Sequence, residues 1–433
     1  MKPSFCSGIL PLLLTAILFT GCHRPVRNPL DHNGYFSYAR YVDVSLCGDS
    51  TAAVVTFSPY DGSADTVYVR IPVRDVVCMS SGYAACLDAL DCGSVISAVS
   101  GAGYITDTLL RERFCMTKSG KACGRWIDNE AFSGGSPGNS SVDGGAGDPS
   151  LKPLYDVGYG PSLDLERLLV LSPDLVAAYT VSPSDIRYMD RLSEEGIPVI
   201  CLYDHYEDHP LARAEYLRLF GLLAGRKETA DSLFNAVSRR YLSLSEKVRE
   251  ITGAGEYQLG SDDNMDEQEA FEATRKSCSR KVLLNAPYGD AWYIPGEDNY
   301  FSQLIRDAGG EVLGSRHGSR ESSVITQEKA FLLAKEADYW LNPGWCRTKS
   351  DILSAVTVSK FIDLDGIGIY NNIRRTTPEG GNDFWESGAV RPDLILEDLV
   401  MILHPDMADT LCVSSAYRKQ PLDGRLHYFI HVE

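Results

Sequence analysis

His205 and His209 stand four residues apart, beside Asp204 and Asp208. On a helix that spacing turns two imidazoles to one face, where a divalent metal finds its first two ligands. Pro210 follows at once and suits the first turn of a helix, so both histidines are expected in the loop before it, with no third ligand nearby. No metal site is therefore assigned. Gly134-Gly135-Ser136-Pro137-Gly138 spells the nucleophile elbow of serine hydrolases, whose chemistry needs a strand, a sharp turn and a helix to expose the hydroxyl. Glycine and serine on both sides, and proline directly after the serine, supply none of these. Gly101-Ala102-Gly103 follows an apolar run, but Thr106 replaces the last glycine of a dinucleotide fingerprint, and the segment reads as a cleft loop. The twelve cysteines contain no Cys-x-x-Cys and no zinc-finger spacing, and most read as small buried hydrophobes. A charge of −18, from 41 basic and 59 acidic side chains, offers no field for a phosphate backbone, so nucleic acid is not an expected partner. Neither a cofactor nor catalysis is expected.

The elements that would position any site begin after an export signal. Lys2 precedes the apolar stretch Ile9 to Phe19, which at eleven residues is too short to span a bilayer. It ends in Phe19-Thr20-Gly21-Cys22, which resembles the lipobox of bacterial lipoproteins. That resemblance implies a signal peptide over 1–21 and lipid on Cys22. Residues 22–34 read as an exposed tether without acidic side chains, favouring a periplasmic anchor in the inner membrane over display at the cell surface.

Alternation of apolar and polar residues at Tyr41–Leu46 and Thr66–Ile71, with the turn Pro59-Tyr60-Asp61-Gly62 between, predicts a small antiparallel β appendage over 35–73. Short apolar runs then alternate with helical periods: strands at Val76, Val95, Leu175 and Val199, helices at Ala84, Leu163 and Asp185. This is the rhythm of a parallel α/β lobe over 74–209. A Gly/Ser-rich segment inside it, 115–150, is expected to be a disordered insertion. Helical spacing from Leu211 to Leu242, interrupted at Gly221 and Gly225, predicts a connector over 210–250 formed by one long helix or two abutting ones. An acidic insertion at 251–279 precedes a second α/β lobe at 280–408, and 409–433 reads as a C-terminal tail.

The two lobes carry an imperfect internal repeat. Leu163-Asp164-Leu165-Glu166 leads to Ser172-Pro173-Asp174-Leu175-Val176, and Ile325-Thr326-Gln327-Glu328 leads to Ala337-Asp338-Tyr339-Trp340. Each places a glutamate in the first turn of a helix, where the dipole favours it. At these residues, with Trp292-Tyr293-Ile294-Pro295-Gly296, Asp307-Ala308-Gly309-Gly310 and Asp383-Phe384-Trp385-Glu386, the chain resembles the periplasmic binding proteins of ABC importers for cobalamin, iron-siderophores and haem. The resemblance covers roughly residues 75 to 406. It implies two Rossmann-like lobes joined by one long helix, a metal chelate held between them, and an ABC permease dimer with its ATPase as partner. Glu166 and Glu328 would then meet arginines of the permease. A cleft for a large flat ligand needs aromatic platforms and a few donors. The loop residues that qualify are Ser80, Ser81 and Tyr83; Tyr104; Trp292, Tyr293 and Tyr300; Trp345; Asn371, Asn372, Phe384 and Trp385. Trp292 draws notice because no amphipathic period accounts for it between Gly289 and Pro295. Arg374 and Arg375 are candidates for neutralising an anionic siderophore. The competing readings are a tetrapyrrole-modifying chelatase on a similar scaffold and a glycan-binding surface lipoprotein.

Overall fold

The computed structural model describes residues 34–119, 153–180, 183–252, 279–289, 291–356, 362–406 and 422–433. The expected signal segment, Cys22 and nearly all of the tether lie outside them, as do residues 120–150 of the first expected insertion and 253–278 of the second. Helical backbone runs to Ser119, so residues 115–119 of the first expected insertion belong to a helix.

Three strands open the fold as an antiparallel sheet: β1 (Val42–Leu46), β2 (Thr51–Phe57) and β3 (Ala64–Arg70). The middle strand escaped the alternation test because its apolar residues are buried almost without interruption, and a two-sided burial erases the period of two.

The first lobe is built on β4 (Val76–Cys78), β5 (Ile96–Val99), β6 (Tyr155–Asp156), β7 (Leu175–Tyr179) and β8 (Val199–Leu202). All are parallel, in the order β6-β5-β4-β7-β8. Val76, Cys78, Leu175 and Ala177 face the main core, while Val77, Val176 and Ala178 face a smaller core on the other side of the sheet. Strands covered on both faces need apolar residues at every position, which is why they read as short unbroken runs. Around this sheet lie α1 (Ser81–Asp88), α2 (Thr108–Ser119), α3 (Leu165–Leu171) and α4 (Pro183–Glu194). Leu168 of α3 and Leu192 of α4 seal the smaller core.

The connector is two helices rather than one, α5 (Pro210–Leu223) and α6 (Lys227–Ile251). Gly225, at φ +73°, turns the chain between them, and a Cβ on Gly221 would fall 2.2 Å from that of Ala230. The glycines that interrupted the helical pattern thus permit the turn and the close approach of two helices.

The second lobe repeats the topology of the first. It contains β9 (Arg280–Leu284), β10 (Pro287–Tyr288), β11 (Ala291–Ile294), α7 (Tyr300–Asp307), β12 (Gly310–Val312), β13 (Ser323–Ile325), α8 (Gln327–Ala334) and β14 (Tyr339–Leu341). It continues with α9 (Lys349–Ala355), β15 (Gly368–Asn371), α10 (Ser387–Val390), α11 (Pro392–Leu403), α12 (Leu422–Arg425) and β16 (Ile430–His431). Four strands of its sheet, in the order β12-β9-β14-β15, match β5-β4-β7-β8 of the first lobe; β6 has no counterpart here, and β16 is added at the opposite edge. β10, β11 and β13 form a small separate sheet. The last residues are not a tail: β16 pairs antiparallel with β15 and completes the sheet edge.

The lobes share one core, which runs from Val76 through Phe220 and Tyr241 to Leu304, Leu399 and Phe429. They are also tied directly. The backbone N–H groups of Thr106 and Asp107 donate to the two Glu386 carboxyl oxygens at 2.7 and 2.8 Å, and the Thr377 hydroxyl donates to the Gly103 carbonyl at 2.6 Å. In a second tie, Arg320 of the second lobe reaches the Tyr41 hydroxyl at 2.7 Å and Asp208 at 2.6 Å.

Candidate functional site

Parallel strands of an open sheet present their carboxyl ends to a common edge, where loops leave room for ligands. Here the loops after β4, β5, β6 and β8 line one side of an interlobe cleft of about 640 Å³, a size suited to a small-molecule ligand. They bring Ser80 and Ser81, Ser100 and Tyr104, Tyr159, and His205; Tyr179 at the end of β7 joins them. The opposite wall comes from the start of α7, with Tyr300 and Phe301, and from Gly380, Gly381, Asn382 and Trp385. Arg213, in the first turn of α5, rises from the floor.

Local hydrogen bonds fix these loops. The Asp156 carboxylate accepts from the N–H groups of Gly101 and Gly158, both at 2.9 Å, locking the turns after β5 and β6 together. Gly101 takes φ +71°, and a Cβ there would strike the Tyr104 ring at 2.7 Å, so glycine lets that ring lie against the turn. Tyr104 and Tyr159 then stand with ring centroids 6.2 Å apart, about half exposed at the cleft mouth. Trp385, 42% exposed, faces the cleft from the other lobe.

Beneath the aromatics lies a buried polar group. Asp204 accepts from the Tyr83 hydroxyl at 2.7 Å through Oδ1 and from Arg213 Nε at 3.0 Å through Oδ2. The Arg213 guanidinium sits 5.6 Å from the Tyr300 ring and 5.5 Å from the Trp385 ring. Burial works against its charge, but Asp204 and the surrounding tyrosines outweigh burial and raise its affinity for the proton. Burial pushes the Tyr179 and Tyr300 phenols up to about 12, so both are protonated donors at neutral pH. His205 lies between the rings of Tyr179 and Tyr206, at 4.8 and 4.7 Å, and burial holds its pKa below the usual histidine range.

Of the residues singled out in the sequence, Ser80, Ser81, Tyr104, Tyr300 and Trp385 line the cleft. Trp345, 61% exposed, stands at its rim beside Gly380. Tyr83 lies one layer down, fully buried under Arg213's partner Asp204. The others sit elsewhere. Trp292 is wholly buried, stacked on Trp340 at 5.8 Å with its indole N–H donating to the Leu284 carbonyl at 2.8 Å. It had no amphipathic period because its strand, β11, is only four residues long. Asn371 is buried and donates to the carbonyls of Gly344 and Cys346; the N–H of Asn372 donates to the Asn342 side chain. Both asparagines hold loops. Phe384 packs behind the site among Phe301, Tyr428 and Phe429. Tyr293 is half-exposed on β11, away from the cleft lining. Arg375 is bound to Asp383, and Arg374 likewise lies off the lining.

Tyr159, Tyr179, His205 and Arg213 line the cleft without having been singled out as ligand contacts. Arg213 left one signal, a charged residue among Leu211, Ala212 and Ala214 at the start of a buried helix. As the sequence suggested, α5 begins at Pro210. His209 is its N-cap, its Nδ1 accepting from the Leu211 N–H at 3.1 Å. No cluster of three metal-ligating side chains occurs among the described residues.

Glu166 and Glu328 occupy equivalent places. Asp164 caps α3 by accepting from the Arg167 N–H at 2.9 Å, and Thr326 caps α8 by accepting from the Lys329 N–H at 3.2 Å. Each glutamate is the second residue after its cap, and each is exposed. Glu328's own backbone N–H and the Thr326 hydroxyl hold its carboxyl below the usual range. One turn on, exposed apolar residues share the same helix face: Leu169 and Val170 beside Glu166, Leu332 beside Glu328.

No protein-family model matches the chain. An uncharacterized lipoprotein of Methanocaldococcus jannaschii is 22% identical over 347 residues, covering 78% of this chain and 67% of that one. Among solved structures, a periplasmic binding protein of Veillonella parvula superposes with a TM-score of 0.50 at 11% identity, over 83% of this chain and 99% of that one. The triscatecholate siderophore-binding protein FeuA of Bacillus subtilis gives 0.47 at 13% identity, over 79% and 96%. The chain has the two-lobe α/β fold of periplasmic binding proteins.

Proposed function

We propose that this chain is the solute-binding lipoprotein of an ABC importer. It captures a metal chelate, an iron-siderophore, cobalamin or haem, between its lobes and delivers it to an inner-membrane permease. The cleft carries the reading. Its exposed rings Tyr104, Tyr159 and Trp385 offer flat apolar faces at a mouth where water-exposed aromatics are otherwise costly, and buried donors lie beneath them. Glu166 and Glu328, at matching positions of the two lobes, are the carboxylates that would meet the permease. Export and anchoring through lipid on Cys22 agree with the lipoprotein relative. We assign no catalysis, because the buried polar groups of the cleft pair as Tyr83, Asp204 and Arg213 rather than as a nucleophile and base.

Titrating the purified protein with haemin, cyanocobalamin and ferric siderophores, followed by tryptophan fluorescence and chelate absorbance, tests the proposal. Saturable one-to-one binding of one of these classes, with Kd of about 1 μM or below, is the expected result. Failure of all three to bind would refute it.

A further inference from the structure

Arg213 is the one cationic side chain on the cleft lining among the described residues, and no carboxylate lines the cleft with it. In a chain of net charge −18 this is an isolated positive spot. Its side chain is 10% exposed, so it is a buried charge rather than a solvated one.

The way Arg213 is held distinguishes it from the structural arginines of the same fold. Asp393 takes Arg391 through both Nε and Nη2, at 2.9 and 3.1 Å, and Asp383 likewise takes Arg375 through Nε and Nη2. Those forks are engaged by two nitrogens. Asp204 takes Arg213 through Nε alone and gives its other oxygen to Tyr83. The two Nη groups of Arg213 carry no hydrogen bond among the described residues. Tyr300 and Trp385 flank the guanidinium and fix its plane, and both also line the cleft. Beside it on that lining, both ring nitrogens of His205 are buried without a hydrogen-bond partner among the described residues. Buried nitrogens without a protein partner, as on His205, mark a place where a ligand can supply one.

We infer that the ligand carries an anionic oxygen group, carboxylate or catecholate in kind, which docks on the Nη edge of Arg213 with His205 alongside, so that the cleft selects anionic chelates over neutral ones. The inference rests on the solute-binding reading above and narrows its ligand class. Asp204 and Tyr83 fix the guanidinium from below, so no side-chain rearrangement is needed to present it.

A charge series on the unmodified protein tests this directly. Ferric enterobactin, ferric citrate and haemin are the anionic probes; ferrichrome and cyanocobalamin are the neutral ones. At least one anionic probe should bind about 100-fold more tightly than either neutral probe. The double variant Asp204→Asn/Arg213→Gln, which leaves no buried charge without its partner, should lose about that factor for the anionic probe. Arg213→Lys, which keeps the charge but loses the guanidinium fork, should fall between wild type and the double variant. The inference is overturned if a neutral probe binds as tightly as the best anionic one. It is equally overturned if the double variant, native by circular dichroism, keeps wild-type affinity for the anionic probe. Either result leaves the solute-binding reading standing. Absence of binding by every probe, anionic and neutral, would instead remove that reading and the inference with it.

Discussion

Replacing Trp292 with alanine should unfold this protein more readily rather than empty its cleft. The indole is wholly buried, stacked on Trp340, and its N–H is bonded to the Leu284 carbonyl. A tryptophan buries roughly 200 Å², worth about 5 kcal/mol at ~25 cal/mol per Å². Large-to-small core substitutions of this kind cost about 3–5 kcal/mol when measured, and the carbonyl left unpaired adds about 1 kcal/mol. The total, about 4–6 kcal/mol, is a large part of the roughly 5–15 kcal/mol that holds a typical domain. Thermal unfolding should therefore shift down by on the order of 10 °C. Trp292→Phe, which keeps a ring against Trp340 and loses the hydrogen bond, should fall between. Melting curves and urea titrations of the three proteins measure the shift, and chelate titration of the folded fraction measures the cleft. A melting temperature for Trp292→Ala within about 2 °C of wild type, accompanied by weaker chelate binding, would refute the reasoning and make the ring a ligand platform after all.

Replacing Glu166 and Glu328 together with arginine should abolish uptake in cells carrying the importer while ligand affinity stays within about twofold, because exposed rim charges steer docking rather than fill the cleft; normal uptake would remove their docking role. Cys22→Ser should release the protein from membranes into the soluble fraction, and continued membrane fractionation would count against the lipid anchor. Stability should also fall as pH rises from 7 to 8.5. Burial pushes the Glu207 and Glu386 carboxyls up to about 8, so the folded state binds protons that the unfolded state has already released. The loss comes to about 1 kcal/mol per group per pH unit until the folded pKa is passed. Urea midpoints across that range measure it, Glu386→Gln should flatten part of the slope, and a midpoint that rises with pH would contradict the assignment.

The lobes were legible because their strands are buried on both faces: Val76-Val77-Cys78 and Leu175 to Tyr179 stand out as apolar runs between helical periods. The first-turn glutamates were legible too, from the repeat that carries Glu166 and Glu328, and the structure adds that Asp164 and Thr326 cap their helices. The cleft was legible only in part. Sequence marks an aromatic in a loop, but whether the loop faces the cleft depends on contacts between distant segments, and so Tyr104 and Trp345 stand at the mouth while Trp292 went inside. Arg213 was hidden for the opposite reason. Helical periodicity assigns residue 213 to a buried surface, and only the fold shows that Asp204, nine residues earlier, makes burial of that charge tolerable.

On the proposed function, the ties between the lobes bear on how a ligand would be exchanged. Swinging them apart would strip Glu386 of two backbone donors, part Arg320 from Asp208, and split a common apolar core. Opening the lobes to admit a ligand would carry the cost of those contacts. If the cleft keeps this form, little of the proposed ligand's binding energy is diverted into ordering the protein. The same contacts would resist thermal opening around a bound ligand. On the proposed function, release would fall to a partner that engages both lobes at once, and α3 and α8, one on each lobe, carry the two glutamates proposed for that contact.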